Sequence, residues 1–272
     1  MKLHHEVLRP GGREPSSVLV MLHGILGSGG NLRGIARQVI EGRPDALGAV
    51  LIDLRAHGQS LAAPGNADTV ANAARDVEET LRALCLPVHA VVGHSFGGKV
   101  ALALEGLPVT HVMTLDSAPG PRPDARGSES TFAVLKLLHA LDRPWATRDE
   151  FVAAAMQGGQ PKPIAQWLAM NLQRGEGESA FRLRVDLKRI DTLIDDYLTV
   201  DLWPKLEHAL AAGPKFHLVI ADRSRVYEHD DRVRAQGLES GGGPVTVDLL
   251  EGGHWIHVDN AAAVVEVMRR RL

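Results

Sequence analysis

Short, continuous hydrophobic runs alternate with longer amphipathic stretches over residues 1–118 of this 272-residue chain. Four of these runs contain many β-branched residues: Val18–Leu22, Ala49–Ile52, His89–Val92 and His111–Leu115. Continuous runs of this kind are typical of parallel strands that are buried on both faces. Between the second and third runs, apolar residues recur at helical spacing from Val70 to Leu84. The pattern therefore predicts an α/β fold with a mostly parallel central sheet flanked by helices.

Helical patterns replace the strand pattern from Pro119 to Gly213. They cover Ser130–Leu141, Thr147–Gln157, Ile164–Gln173 and Ile190–Leu198. Strand patterns then return at Phe216–Ile220 and Val245–Leu249, and a last helix is predicted from Asn260 to the C-terminus. The sequence thus predicts a core formed by residues 1–118 and 214–272, with residues 119–213 as an inserted helical segment.

Composition narrows the class of protein. Hydrophobic residues make up 44% and charged residues 23% of the chain, as in an ordinary globular protein. A formal net charge of -3 does not favour a nucleic-acid partner and leaves a small molecule as the expected substrate. We expect a cytoplasmic protein with no signal peptide and no membrane span. The single cysteine, Cys85, is expected to be a buried thiol on a helix. The oligomeric state is left open.

The chemically most informative motif is Gly93–Gly98, which reads Gly-His-Ser-Phe-Gly-Gly between a predicted strand and a predicted helix. In that context, Gly-x-Ser-x-Gly is typical of a nucleophile elbow, a turn so tight that only glycine fits two residues before and after the serine. The turn holds the serine in a strained conformation that exposes its Oγ. Ser95 is therefore the predicted nucleophile.

A serine hydroxyl needs a general base, and His254 is the best candidate among the thirteen histidines. It lies in a loop between the last predicted strand and the last helix, at the edge of the sheet where Ser95 is expected. His257 is more simply a packing or capping residue. No third ligand at a recognised spacing accompanies these two histidines, so we expect no metal site.

Two backbone N–H groups are candidates for an oxyanion hole. The loop after the first predicted strand reads His-Gly-Ile-Leu-Gly-Ser and supplies the N–H of Ile25, with that of Leu26 as the alternative. Phe96, directly after the nucleophile, supplies the second donor. The Asp53–Ser60 loop also holds an Asp, a His and a Ser, but within one turn-rich segment these are expected to bond locally.

Together these motifs resemble the α/β-hydrolase superfamily over nearly the whole chain. Leu22–Ser28, Gly93–Lys99, Leu115–Pro119 and Gly253–His257 resemble a subgroup of small serine esterases that includes the bacterial acyl-CoA esterase YbfF and mitochondrial abhydrolase-domain proteins. This resemblance implies hydrolysis of small acyl esters or thioesters, no cofactor, and a helical cap formed by the inserted segment. Within that segment, Phe132, Leu135, Trp167 and Met170 are candidate pocket residues.

The third member of the triad is less clear, because Ser224 stands where most of the superfamily has its acid. The resemblance implies that Asp116, at the end of the strand after the elbow, replaces it, with Ser224 in the same hydrogen-bond network. Asp222 is the alternative. It precedes the usual position by two residues, or roughly 6.6 Å along an extended chain, which favours Asp116.

The serine at the elbow argues against the dehalogenases and epoxide hydrolases of this fold, which attack with an aspartate. A cofactor-free haloperoxidase, a carbon–carbon bond hydrolase and a non-catalytic ligand receptor remain as alternatives to an esterase. The receptor is the least favoured of these, because the nucleophile, the base and candidate acids are all present.

Overall fold

A computed structural model describes residues 1–41, 43, 45–62, 65–122, 131–175 and 177–272. Its centre is a seven-stranded sheet with the order β1-β3-β2-β4-β5-β8-β9. The strands are β1 (His5–Leu8), β2 (Ser17–Leu22), β3 (Leu47–Ile52), β4 (Val88–His94), β5 (His111–Leu115), β8 (Lys215–Ala221) and β9 (Val245–Leu250). All neighbouring pairs are parallel except β1 with β3. The predicted mostly parallel sheet is confirmed.

Alternating side chains of the strands enter two hydrophobic cores, one on each face of the sheet. On β2, Val18, Val20 and Leu22 belong to one core, whereas Leu19 and Met21 belong to the other. The first core contains side chains of α2 (Val70–Leu84), α3 (Phe96–Leu102) and α9 (His229–Ser240). The second contains those of α1 (Arg33–Ile40) and α11 (Ala261–Arg271), and the short α10 (Ile256–Asp259) precedes α11. Burial on both faces explains why the strands are continuously apolar.

The segment between β5 and β8 is mainly helical. It contains α4 (Thr131–Ala140), α5 (Arg148–Gln157), α6 (Lys162–Leu168), α7 (Leu187–Thr199) and α8 (Trp203–Glu207). The helix predicted at Ile164–Gln173 is wrong at its C-terminal end. After Leu168 the chain forms one 3₁₀ turn and then β6 (Leu172–Arg174), which pairs with β7 (Phe181–Leu183). Ser130, the predicted start of the first helix here, lies outside the described residues.

The environment of Cys85 was predicted wrongly. α2 ends at Leu84, and Cys85 is its C-cap in a left-handed conformation with φ 53°. This reversal of the chain turns the thiol away from the apolar face of α2, and the residue is exposed. None of the described helices has both the length and the apolar character needed to cross a membrane.

Candidate active site

Ser95 lies in the tight turn between β4 and α3. Its backbone is strained, with φ 51° and ψ −118°, and its neighbours make the turn possible. A Cβ at Gly93 would lie 2.0 Å from the carbonyl oxygen of Gly97, and one at Gly97 would lie 2.4 Å from that of Leu22. Both contacts are far below van der Waals distance, so the turn needs glycine at the two positions that the motif predicts.

Ser95, His254 and Asp116 form one chain of hydrogen bonds. Nε2 of His254 is 3.0 Å from Oγ of Ser95, and Nδ1 is 2.7 Å from Oδ2 of Asp116. Because a carboxylate can only accept, Nδ1 is the nitrogen that donates, and this leaves Nε2 free to accept the serine proton. Asp116 is fully buried, whereas the His254 side chain is 24% exposed. The arrangement can deprotonate the serine while the imidazole stays in a single tautomer.

Two further bonds hold the carboxylate of Asp116. Ser224 Oγ donates to Oδ2 over 2.5 Å, and the N–H of Ala221 donates to Oδ1 over 3.2 Å. Ser224 is itself positioned by the N–H of Val226, which donates to its hydroxyl. Asp222, the alternative acid, instead accepts the N–H of Gly252 through Oδ1. The structure therefore brings Asp116 and Ser224 together with His254 and uses Asp222 as a loop cap.

Buried histidines position the loop that carries His254. His94, next to the nucleophile, bonds through Nε2 to the carbonyl oxygen of His254 over 2.8 Å. Burial keeps the pKa of His94 well below its usual value, so the ring stays neutral. His257 packs edge-on against His94, with 4.3 Å between ring centroids, and burial lowers its pKa to about 4. This matches the packing role predicted for His257.

The N–H groups of Ile25 and Leu26, in the loop after β2, differ in their hydrogen bonding. The N–H of Leu26 donates to Nε2 of His57 over 3.0 Å, and His57 is buried in the Asp53–Ser60 loop. Within the described residues, the N–H groups of Ile25 and Phe96 donate to no protein acceptor. Ile25 and Phe96 line the same cavity as Ser95.

That cavity has a volume of about 320 Å³, and Ser95 forms part of its lining. Its described walls combine apolar, hydroxyl and cationic side chains: Ile25, Ser95, Phe96, Arg122, Thr131, Phe132, Ile194, Tyr197, Leu198, Arg223, Ser224, Arg225, Val226 and His254. Of the four predicted pocket residues, Phe132 alone lines it. Leu135 is buried in the first core, Trp167 packs against Trp255 with ring centroids 4.5 Å apart, and Met170 is 57% exposed. Helical spacing identified apolar residues but not which of them faces the cavity.

Tyr197 and Lys99 were missed at the sequence level. Tyr197 on α7 lines the cavity and packs against Phe96, and burial raises its pKa to about 12, so the phenol is neutral. Lys99 on α3 is fully buried. Its Nζ donates to the carbonyl oxygens of Gly120, Tyr197 and Val200 over 2.6–3.0 Å. These bonds connect α7 with α3, the helix that follows the nucleophile. The only signal for them in the sequence is the lysine in Gly-Gly-Lys after the elbow.

No group of three or more His, Cys, Asp or Glu side chains within the described ranges could hold a metal ion.

Known proteins resemble this chain along most or all of its length. Esterase YbfF of Escherichia coli is 26% identical over 282 residues, covering 100% of this chain and 99% of the relative. The sn-1-specific diacylglycerol lipase ABHD11 of Xenopus laevis is 28% identical, covering 89% of this chain and 75% of the relative. A solved structure of a marine microorganism esterase superposes with a TM-score of 0.80 at 22% identity, covering 100% of this chain and 99% of its own. This structural likeness shows a shared fold.

The family comparison extends from the second strand of the sheet to the last helix. The model of the alpha/beta hydrolase family matches residues 19–267, which include the elbow, Asp116 and the His254 loop. The chain belongs to the alpha/beta hydrolase family.

Proposed function

We propose that this protein is a serine esterase that hydrolyses short acyl esters or thioesters through an acyl-enzyme intermediate. The observation that carries the proposal is the hydrogen-bonded chain from Ser95 through His254 to Asp116, with Ser95 in the lining of a cavity. An esterase and a lipase among the relatives support the same class of reaction.

In the proposed first half-reaction, Oγ of Ser95 attacks the carbonyl carbon of the substrate while Nε2 of His254 takes the hydroxyl proton. The tetrahedral intermediate collapses, the bond to the alcohol or thiol breaks, and His254 gives the proton to the leaving group. Water then attacks the acyl-enzyme with His254 again as the base, and the acid leaves as Ser95 regains its proton. Asp116 orients the imidazole and stabilises its cation, and Ser224 helps to fix the carboxylate.

The proposed oxyanion hole consists of the N–H groups of Ile25 and Phe96. Both residues line the cavity at Ser95, and neither N–H has an acceptor among the described residues, so both can donate to a developing oxyanion. The alternative donor, Leu26, is disfavoured because its N–H already donates to His57. We also propose that residues 119–213 act as a cap over the core, because Phe132, Tyr197 and Leu198 come from this segment and form part of the cavity wall.

The test is a substrate panel measured on the wild type, Ser95→Ala and His254→Ala. The panel contains p-nitrophenyl acetate, butyrate and palmitate, a butyryl thioester and a vinylogous diketone. We expect the short esters or the thioester to be the best substrates, because the cavity is small. Each substitution should lower kcat by about three orders of magnitude or more, since the triad members act as a unit.

An exposed residue provides the matched control. Ser240→Ala, at the last position of α9, should retain wild-type kcat. The proposal fails if Ser95→Ala or His254→Ala keeps more than about a tenth of the wild-type activity, or if only the diketone is cleaved. Equal rates for acetate and palmitate below their critical micelle concentrations would contradict the proposed cap.

A further inference from the structure

Three arginines line the cavity that contains Ser95. Arg122 follows β5, and Arg223 and Arg225 follow β8; they are called the arginine cluster below. Among the described residues that line the cavity, no side chain is acidic. The formal charges on the described side chains that line the cavity are therefore all positive, and such a lining raises the local concentration of anions and favours their binding.

Arg122 is held mainly by backbone carbonyl groups. The Nη atoms of Arg122 donate to the carbonyl oxygens of Arg225 and Val226, and its backbone N–H donates to the carbonyl oxygen of Leu198. Its Nε is buried and has no hydrogen-bond partner in the described structure. A buried donor without a partner is unfavourable, and a bound acceptor within its reach would satisfy it.

The carboxylates that form ion pairs with the cluster are exposed. Glu228 approaches Arg122 at 3.5 Å but its side chain is 71% exposed. Arg223 and Glu251 are 3.0 Å apart, and both side chains are more than half exposed. Arg225 is also exposed and has no ion pair with a described residue. Exposed ion pairs are weak and screened by salt, so these partners leave much of the cluster's charge available.

The charge of Arg122 reaches the interior of the cavity. Burial raises the pKa of Tyr197, and the positive charge of Arg122 is the largest influence that opposes this rise. Tyr197 lines the same wall, so a group bound between these side chains would feel the guanidinium. Guanidinium groups match the planar fork of a carboxylate and bind it through charge-assisted hydrogen bonds.

We infer that the preferred substrates of the proposed esterase carry a carboxylate, which the arginine cluster binds while Ser95 attacks the ester. This inference rests on the proposed function and adds a substrate class to it. The apolar walls at Phe96, Phe132 and Leu198 hold the carbon chain, and the cluster selects among chains of similar size by charge.

The test uses two matched substrate pairs. Ethyl butyrate and monoethyl succinate differ by a carboxylate on the acyl side, and phenyl butyrate and 4-carboxyphenyl butyrate differ by one on the leaving side. The ratio of kcat/KM within a pair is measured on one enzyme sample, so it is independent of the fraction of active protein. We expect the wild type to prefer the charged member of at least one pair by about tenfold or more, and that pair identifies the side that faces the cluster.

The variants are Arg122→Gln, Arg225→Gln and, as a control with the same charge change, Arg13→Gln at an exposed position far along the chain from the cluster. Arg122 is partly structural, but the exposed Arg225 can be replaced without disturbing the core. Each cluster substitution should lower the preference for the charged substrate by about fivefold to tenfold, and Arg13→Gln should leave it unchanged. Ratios near one in both pairs, or ratios that the cluster substitutions do not alter, would overturn the inference.

Hydrolysis and anion recognition can fail separately. Activity on the neutral esters without a preference for the charged ones retains the proposed function and rejects the carboxylate. If no ester is hydrolysed, the proposed function fails. The carboxylate inference is then tested by the binding of monoethyl succinate and ethyl butyrate to Ser95→Ala, measured by saturation-transfer NMR. Tighter binding of monoethyl succinate that is lost in Ser95→Ala/Arg225→Gln supports it, and equal binding rejects it.

Discussion

At the scale of single residues, the imidazole of His254 is aligned by a carboxylate from an unusual place. Asp116 follows β5, and its backbone is itself strained, with φ 46°. Its N–H donates to the carbonyl oxygen of Val219, which continues the bonding between β5 and β8 beyond the last paired residue. The side chain is thereby held behind His254, while Ser224 occupies the loop after β8 and donates to it.

Replacing the two candidate acids by their amides separates their roles. Asp116→Asn should lower kcat by about four orders of magnitude with folding intact, because the amide no longer holds the imidazole in the tautomer that accepts the serine proton. Asp222→Asn changes only a loop cap to Gly252 and should lower kcat by less than about tenfold. Steady-state kinetics with circular dichroism as a folding check makes the comparison. The reverse ranking would assign the acid to Asp222.

The site residues differ in how far they can be predicted from the sequence, and the difference has a physical cause. Ser95 and its glycines form a local motif, because the turn restricts residues two positions apart in the chain. The choice between Asp116 and Asp222 depends on which side chain reaches His254 across the sheet, so sequence spacing could favour one without deciding. The arginine cluster was not predicted, because Arg122 and Arg225 meet only when the loops after β5 and β8 lie side by side.

At the scale of elements, the turn between β4 and α3 is set by backbone contact. At Gly93 the space for a side chain is already occupied by the backbone of Gly97 and Gly98. By contrast, a Cβ at Gly34 in α1 would meet nothing within 4 Å. The same substitution at these two positions therefore has opposite expected effects on the free energy of unfolding.

Gly93→Ala should lower the free energy of unfolding by about 3 kcal/mol or more, because the methyl group forces the elbow open. Gly34→Ala should raise it by up to about 1 kcal/mol, since alanine is the better helix former. Urea unfolding followed by circular dichroism measures both. Equal stability of the two variants would contradict the tight turn at Gly93.

The six strands predicted from the sequence are present in the structure, whereas β1, β6 and β7 were not predicted. Strands buried on both faces have to be apolar at nearly every position, so β2, β3, β4 and β5 are evident in the sequence. β1 is a short, half-exposed edge strand with no such signal, and it was not predicted. The strand after α6 was predicted as helix because Leu168 and Leu172 keep a helical spacing where the chain has already left the helix.

At the scale of the whole molecule, buried histidines couple stability to pH. Burial lowers the pKa of His57 to about 3, with the charge of His23 as the next cause, and lowers those of His111 and His217 to about 4. The ordinary pKa of a histidine side chain is 6.5. Between pH 6.5 and 4 the unfolded chain therefore binds protons at these positions and the folded protein does not, so the folded state loses stability as the pH falls.

The free energy of unfolding should thus be nearly constant from pH 8 to 7 as far as these groups are concerned, and should fall by roughly 1 kcal/mol or more per unit below pH 6. His217→Gln removes one of the groups and should make this slope shallower. Urea unfolding of both proteins at pH 7, 6 and 5 measures the slopes. Identical slopes, or a wild type that is no less stable at pH 5, would show that these histidines are charged in the folded state.

Covalent labelling by a fluorophosphonate, which reacts with serines activated as nucleophiles, tests most directly whether Ser95 is the nucleophile. The wild type, Ser95→Ala and His254→Ala are treated with the probe, and peptide mass spectrometry locates the adduct. The account predicts one adduct per chain, on Ser95, that is absent from Ser95→Ala and formed at least about a hundredfold more slowly in His254→Ala. An unlabelled wild type, or an adduct that persists in Ser95→Ala, would contradict it.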